Sequence, residues 1–488
     1  MRESEAVTAL INVLGTPGWL ESTFDVSPFL TDSRGAHSGK CLGVALPANT
    51  SEVAQTLRIC NAARIGIVPQ GGNTGRCAGA TPNASGQQIV LGLKRLNHIL
   101  DMDPTSNTAT VEAGCILAEV RAAAEKVDRL FPLSLGAEGS CQIGGNLATN
   151  AGGTNVLRYG NARDLALGLE VVLPDGRVWD GLNSLRKNNT GYDLKDLFIG
   201  SEGSLGVITT AVLKLVPRPT AVASAFLAVP DPESSLEVLT RAQVASGNRV
   251  ETFELLGRTA LEFPVRHIHD CRDPFEAPHP WYVLLELAAY PSDDDATDLI
   301  QAILESAFDE GLVTDAVVAG SLAHAQDFWR LREGVVEAQA MEGASIKHDI
   351  SLPLSKISVF LEEAASRVQR VAPGCRPCPF GHLGDGNIHY NVSQPEALSN
   401  GEFLAKEDLI HRTVHDLVAE LGGSFSAEHG IGLIKVDDML RYKSPVELEI
   451  MASIKQTLDP AGIMNPGKVL PPSRETPTGL PTTWPKTL

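Results

Sequence analysis

The sequence predicts an α+β protein of two or three domains. Three observations carry this reading: a first domain punctuated by three separated glycine clusters, a stretch over 218–320 that alternates strand and amphipathic-helix patterns, and two glycine- and histidine-rich motifs in the closing third. At 488 residues the chain can bury a large core, and 43% hydrophobic with 5% aromatic content is ordinary for a globular protein. A net charge of -19 and a pI near 5.1 oppose binding to nucleic-acid phosphate and to anionic membrane surfaces. No apolar run approaches the length of a membrane span. Met1-Arg2-Glu3-Ser4-Glu5 lacks both the apolar core of a secretory leader and an Arg-rich transit pattern, so the expected compartment is the cytoplasm. Eight cysteines scattered over so long a chain do not form a disulfide framework, and the close pair Cys375 and Cys378 reads as two structural thiols.

Residues 4–15 carry an apolar helical period, and an irregular arm rich in Gly, Ser and Asp follows, which sets off 1–39. Asn49, with Glu52 three residues on, reads as the N-cap of a helix bearing Val53, Leu57 and Ile59. The strand Ile65 to Val68 then runs into the turn Pro69-Gln70-Gly71-Gly72-Asn73-Thr74-Gly75, whose backbone N–H groups suit an anion. This turn lacks the Lys of a P-loop and the spacing of a dinucleotide fingerprint, and a plain surface turn is the other reading. Strands over 89–91 and 108–112 and a helix over 117–127 lead to a second cluster with Gly139, Ser140, Gly144, Gly145, Asn146, Thr149, Asn150, Gly152 and Gly153. Its small side chains permit close backbone approach to an extended ligand. The third cluster, with Gly203, Gly206, Val207 and Ile208, enters the strand over 211–216. Three clusters in one domain, 40–217, suit one long ligand.

Over 218–320, strands at 222–229, 250–255, 281–287 and 313–318 alternate with helices near 233–246 and 293–308. Strand–helix–strand twice over is a ferredoxin-like pattern, and it opens a domain placed at 218–420. A helix over 326–343 carries Arg330, Arg332 and Glu333, and a strand over 345–352 sets Lys347, Asp349 and Ser351 on one face. An arginine and a lysine facing one cavity would hold a carboxylate, with surface salt bridges as the plainer alternative.

In Pro379 to Asn391 the glycines at 381, 384 and 386 shape a turn, and a strand aims His389 and Asn391 at one face. Glu428-His429-Gly430-Ile431-Gly432 follows a helix over 408–421. Two imidazoles and one carboxylate from these motifs would suit Zn²⁺ or a similar divalent ion and keep a position open for substrate; ordinary loop and core histidines are the alternative. His411 and His415, at i and i+4, are a possible metal pair, but the apolar stripe beside them and the missing metalloprotease Glu favour an ordinary amphipathic face; His267 and His269 read the same way. A helix over 446–458 and a segment with Asn465 complete 421–470, and the Pro- and Thr-rich 471–488 read as a flexible tail.

The order Pro-Gln-Gly-Gly-Asn-Thr-Gly, Gly-Gly-Asn-Leu-Ala-Thr-Asn-Ala-Gly-Gly and Gly-Ser-Glu-Gly-Ser-Leu-Gly-Val-Ile-Thr resembles the two-subdomain FAD-binding domain of the PCMH-type flavoproteins, the vanillyl-alcohol oxidase and p-cresol methylhydroxylase family. The resemblance implies that the first turn holds the pyrophosphate and the later clusters line the adenosine and isoalloxazine. Asn73 stands where covalent members often carry His, which implies non-covalent FAD. The motifs Gly-His-Leu-Gly-Asp-Gly-Asn-Ile-His-Tyr-Asn-Val, Glu-His-Gly-Ile-Gly and Leu-Asp-Pro-Ala-Gly-Ile-Met-Asn-Pro-Gly-Lys resemble the FAD- and metal-dependent D-2-hydroxy acid dehydrogenases, over roughly residues 40–470. That resemblance implies His382, His389 and Glu428 as metal ligands, His429 as the base, Arg332, Lys347 and Asn391 as substrate contacts, and Asn465 beside the cofactor.

The activity so implied is oxidation of a small anionic D-2-hydroxy acid to the 2-oxo acid, with the metal binding hydroxyl and carboxylate and FAD accepting the hydride. In family members specific for D-2-hydroxyglutarate a Thr four residues after the Arg helps bind the distal carboxylate; here that residue is Val336. One lost hydrogen bond weakens a dicarboxylate by about 1 kcal/mol rather than excluding it. The first expectation is therefore D-2-hydroxyglutarate, with D-lactate, D-malate, glycolate or a role as the FAD subunit of a glycolate oxidase-like complex as alternatives. A flavin-free metal hydrolase would leave the three glycine clusters unexplained. Family likeness favours a homodimer, and the electron acceptor stays open among an electron-transfer flavoprotein, a quinone, a cytochrome and oxygen.

Overall fold

The computed structural model describes residues 1–290 and 296–471, so all but the first residue of the expected tail lies outside the described residues. The chain divides into two compact units: Met1–Gly152, Gly160–Arg218 and the described residues from Glu428 on form the first, and Gly153–Tyr159 with Pro219–Ala427 form the second.

In the first unit, helix Glu3–Leu14 buries Ala6, Leu10 and Leu14, spaced four apart, against helix Thr50–Ala63. Asn49 caps the latter by accepting the Glu52 N–H at 2.9 Å, while Glu52 accepts the Ala48 N–H at 2.7 Å. One sheet runs Trp19–Leu20, Gly43–Ala45, Gln88–Gly92, Gly66–Gln70, with its last two pairings parallel. All five residues of Gln88–Gly92 are buried, as the central strand of a covered parallel sheet requires. A second, antiparallel sheet runs Ile99–Asp103, Thr108–Glu112, Val207–Lys214, Ala166–Val172, Val178–Gly181. This is the two-subdomain arrangement expected of the domain, and the α+β class holds.

The second unit is built on an eight-stranded sheet. Its first four strands in the chain, Ala221–Val229, Val250–Gly257, Trp281–Ala289 and Asp315–Val318, lie in the spatial order 4-1-3-2, which is ferredoxin-like. Strands Arg376–His382 and Asn387–Ser393 extend it, and Ser345–Ile346 and Asp349–Ser351 both pair with the latter. The single strand expected over 345–352 is thus broken at Lys347 and His348. Period-two alternation divides the core. Ala225, Leu227 and Val229 face helices Pro232–Ser246, Ala296–Asp309, Ile357–Val371 and Glu407–Glu420, while Phe226 and Ala228 face helices Arg258–His267 and Leu322–Met341. All eight cysteines are free thiols, and burial pushes Cys375 up to about 11 and Cys378 up to about 12, which fits their structural reading.

Candidate active site

The three glycine clusters converge within the first unit on one groove with about 940 Å³ of empty space, counting its open mouth. Pro69 to Gly75, then Gln142, Gly144, Gly145, Asn146 and Thr149, then Gly203, Gly206, Val207 and Ile208 line it, and His429 joins them. Gly72 is packed so closely that a Cβ there would stand 2.1 Å from the Ser140 carbonyl oxygen; a Cβ on Gly145 would meet nothing within 4 Å and would stand in the groove. An elongated, backbone-lined cradle of this kind fits FAD. Gly139, Ser140, Asn150, Gly152, Gly153 and Asn465 fall outside the lining. Asn150 Oδ1 instead accepts the Arg163 N–H at 3.0 Å, and Asn465 Nδ2 donates to the carbonyls of Gly79 and Glu202 at 2.9 and 2.8 Å.

His429 reaches this groove because the C-terminal return is stitched to it. Glu202 accepts the Ile431 and Gly432 N–H groups at 2.7 and 2.8 Å, the Leu433 N–H donates to the Cys77 carbonyl at 2.8 Å, and Lys455 Nζ donates to the Ser204 and Met464 carbonyls at 2.7 Å each. Burial pushes the Glu202 carboxyl up despite its two N–H donors. The irregular N-terminal arm, uninformative in the sequence, holds the first turn from the other side: Asn73 Nδ2 donates to the Thr31 carbonyl at 2.8 Å and Gln70 Nε2 to the Phe29 carbonyl at 3.0 Å.

The second unit gathers the other candidates. His382 ends one strand of a hairpin and His389 lies on the next, with ring centroids 5.6 Å apart. Glu254, the cross-strand partner of His382, lies with Oε1 2.5 Å from His382 Nδ1 and accepts the Arg332 Nε–H on Oε2 at 2.6 Å. Burial alone would push the Glu254 carboxyl up, but His382 and Arg332 outweigh it and hold the group below the usual carboxylate range. Asp349 Oδ1 lies 3.8 Å from His389 Nδ1 and accepts from Asn387 Nδ2 at 3.0 Å. The Glu254 carboxylate at Nδ1 fixes the His382 tautomer whose Nε2 carries the lone pair a cation needs, so His382 fits a metal ion as an oriented imidazole, with His389 beside it. Burial pushes the neighbouring Asp385 up to about 6, against the lowering influence of His382. Arg332 also lies over the Phe380 ring, 4.9 Å from its centroid.

Asn391 is buried and gives its Nδ2 to Gln339 at 2.8 Å; Lys347 is exposed at the strand break. The Ala427 N–H donates to the Asp349 carbonyl at 3.2 Å, and Glu428 is the next residue along the chain. Sequence reasoning missed Glu254. Its signal is a carboxylate in the otherwise apolar run Phe253-Glu254-Leu255, where an unpaired charge would be costly.

Comparison with known proteins adds to this geometry. Residues 41–181 match the family model of a FAD binding domain, and residues 218–469 match that of the C-terminal domain of FAD linked oxidases. The mitochondrial D-2-hydroxyglutarate dehydrogenase of Arabidopsis thaliana is 39% identical over 96% of this chain and 82% of its own length. The D-2-hydroxyglutarate dehydrogenase of Xanthomonas citri pv. viticola is 39% identical over 90% of this chain and 91% of its own. Among solved structures, p-cresol methylhydroxylase with substrate bound superposes with a TM-score of 0.73 at 18% identity, covering 96% of this chain and 97% of that one, a likeness of fold. The expected cytoplasmic location does not stand, because the Arabidopsis relative is described as mitochondrial. Compartment is carried by targeting, which the residues of a folded domain do not encode.

Proposed function

Because the chain belongs to the FAD-linked oxidase family, and within it to the D-2-hydroxyglutarate dehydrogenases, we propose that it oxidises D-2-hydroxyglutarate at C2 to 2-oxoglutarate. The observation that carries this reading is the buried bridge Arg332–Glu254–His382, which couples a carboxylate-binding cation to a metal-ligating imidazole. A 2-hydroxy acid presents the matching pair, a carboxylate and an adjacent hydroxyl.

Bound FAD supplies a two-electron acceptor for the C2 hydride. His382, His389 and Glu428 would hold a divalent cation, Zn²⁺ by their donor set, which when bound would supply Lewis-acid lowering of the substrate hydroxyl's pKa. Arg332 and Lys347 bind carboxylate; the Nη atoms of Arg332 make no hydrogen bond among the described residues, and they offer the bidentate edge. His429, which lines the FAD groove, takes the hydroxyl proton, as an imidazole does near neutral pH. Asn391, its Nδ2 committed to Gln339, offers Oδ1 to the substrate. Asn73 has an amide rather than a nucleophile, which supports non-covalent FAD, and family likeness supports a homodimer.

The test is anaerobic bleaching of the bound-flavin absorbance by D-2-hydroxyglutarate, with D-lactate and both L-enantiomers in parallel, before and after chelation. Rapid bleaching by D-2-hydroxyglutarate that chelation abolishes is the expected result. Faster bleaching by D-lactate would remove the distal carboxylate from the reading, and bleaching indifferent to chelator would remove the metal.

A further inference from the structure

Helix Glu407–Glu420 carries His411 and His415 one turn apart on one face, a pair too small to hold an ion by itself. The fold brings a third imidazole. His348 sits in the break between Ser345–Ile346 and Asp349–Ser351, its ring centroid 4.7 Å from that of His411 and 5.5 Å from that of His415, with 5.6 Å between the last two. One ring nitrogen from each of the three lies within 4.8 Å of the others. All three belong to the second unit, and none takes part in the site described above.

The chemistry of each ring suits a cation. His348 is 2% exposed, and its Nδ1 lies 2.7 Å from the Tyr390 carbonyl oxygen. A carbonyl only accepts, so Nδ1 carries the proton and Nε2 the lone pair, the tautomer found in metal-bound histidines whose far nitrogen is anchored. His415 is 3% exposed, and the Nδ1 of half-buried His411 is a buried atom with no hydrogen-bond partner among the described residues. Three imidazoles this close cannot all be cationic in an apolar setting, and Ile346, Ile410, Val414 and Tyr390 around them are core residues. A shared cation would take one lone pair from each ring. Glu407 lies on the other side of the ring, its Oε1 3.5 Å from His411 Nε2, where it would orient the imidazole from outside the cluster.

We infer that His348, His411 and His415 form a divalent-metal site of their own, three imidazoles with water completing a tetrahedron. Such a set takes Zn²⁺, and Co²⁺, Ni²⁺ or Cu²⁺ according to supply. The ion pins helix Glu407–Glu420 to the sheet. Tyr390 packs toward this helix, while the adjacent His389 packs against Phe380 in the other core layer, so the two histidine groups lie on opposite faces of one strand.

The test uses the full chain, stripped by chelator and titrated with Co²⁺ and then Zn²⁺, with bound metal counted per chain. Two variants accompany the wild type: His411→Asn, at a half-buried position that tolerates exchange, and His415→Gln. Expected are one fewer bound equivalent in His411→Asn, or binding weakened by at least about tenfold at one class of site, and loss of the tetrahedral Co²⁺ absorbance belonging to that equivalent. In a His389→Asn background, adding His411→Asn should remove the remaining equivalent. Equal stoichiometry and affinity in wild type and His411→Asn overturns the inference, as does a wild-type chain that binds no metal. If His415→Gln fails to fold, His411→Asn decides alone.

Discussion

Arg332 donates its Nε–H to Glu254 Oε2 at 2.6 Å in a site where neither side chain is more than a tenth exposed. The other oxygen of the same carboxylate lies 2.5 Å from His382 Nδ1, so one buried charge fixes both the guanidinium and the imidazole tautomer. Replacing Glu254 by Gln keeps the shape but leaves Arg332 as a buried cation without its counter-charge. The expected loss is about 3–5 kcal/mol of stability, read from urea denaturation, together with metal binding weakened about 10–100-fold. Unchanged denaturation would mean that water already compensates the pair.

His429 lines the groove without contributing to its glycine walls. His429→Asn should therefore retain flavin, by its absorbance spectrum, while kcat falls about 10²–10⁴-fold. The limb of the pH–rate profile that reports the base should flatten as well. A variant that loses flavin and activity together would make His429 a cofactor contact instead.

The flavin groove was legible in the sequence because glycine density is a local signal: each cluster announces itself within about ten residues. Glu254 was not, since it meets His382 from 128 residues away and lies in a strand whose pattern reads as core. His348 was hidden for a related reason. Strand alternation set Lys347 and Asp349 on the functional face and turned His348 away, and only the packing of helix Glu407–Glu420 shows that the far face also gathers imidazoles. The arm before residue 40 was silent because its role lies in long-range backbone contacts, such as that from Asn73 to the Thr31 carbonyl, which leave no periodicity behind.

Close approach distinguishes two glycines of the first unit. A Cβ at Gly72 would lie 2.1 Å from the Ser140 carbonyl oxygen, a backbone atom that cannot swing aside, whereas one at Gly139 meets nothing within 4 Å. Gly72→Ala should purify with little flavin and lose about 1–3 kcal/mol or more. Gly139→Ala should keep both. Flavin content per chain after gel filtration checks the pair.

Lys468 is 5% exposed and donates to the Thr81 carbonyl at 2.7 Å and to Asn465 Oδ1 at 3.2 Å. Burial lowers it to about 8, only partly opposed by the charge of Glu202. Below that pH both folded and unfolded chains hold the proton, and the buried ammonium costs the folded state. Between about 8 and the unfolded value of 10.5 the unfolded chain binds more protons, so this group's contribution to stability rises with pH. The full span corresponds to a gain on the order of 3 kcal/mol. Lys468→Met removes the titration along with the hydrogen bonds. Urea midpoints of wild type and variant, measured from about pH 7.5 to about pH 10, should therefore diverge in favour of the wild type as pH rises. Parallel curves would place the Lys468 titration outside this window and assign the buried segment's pH response to other groups.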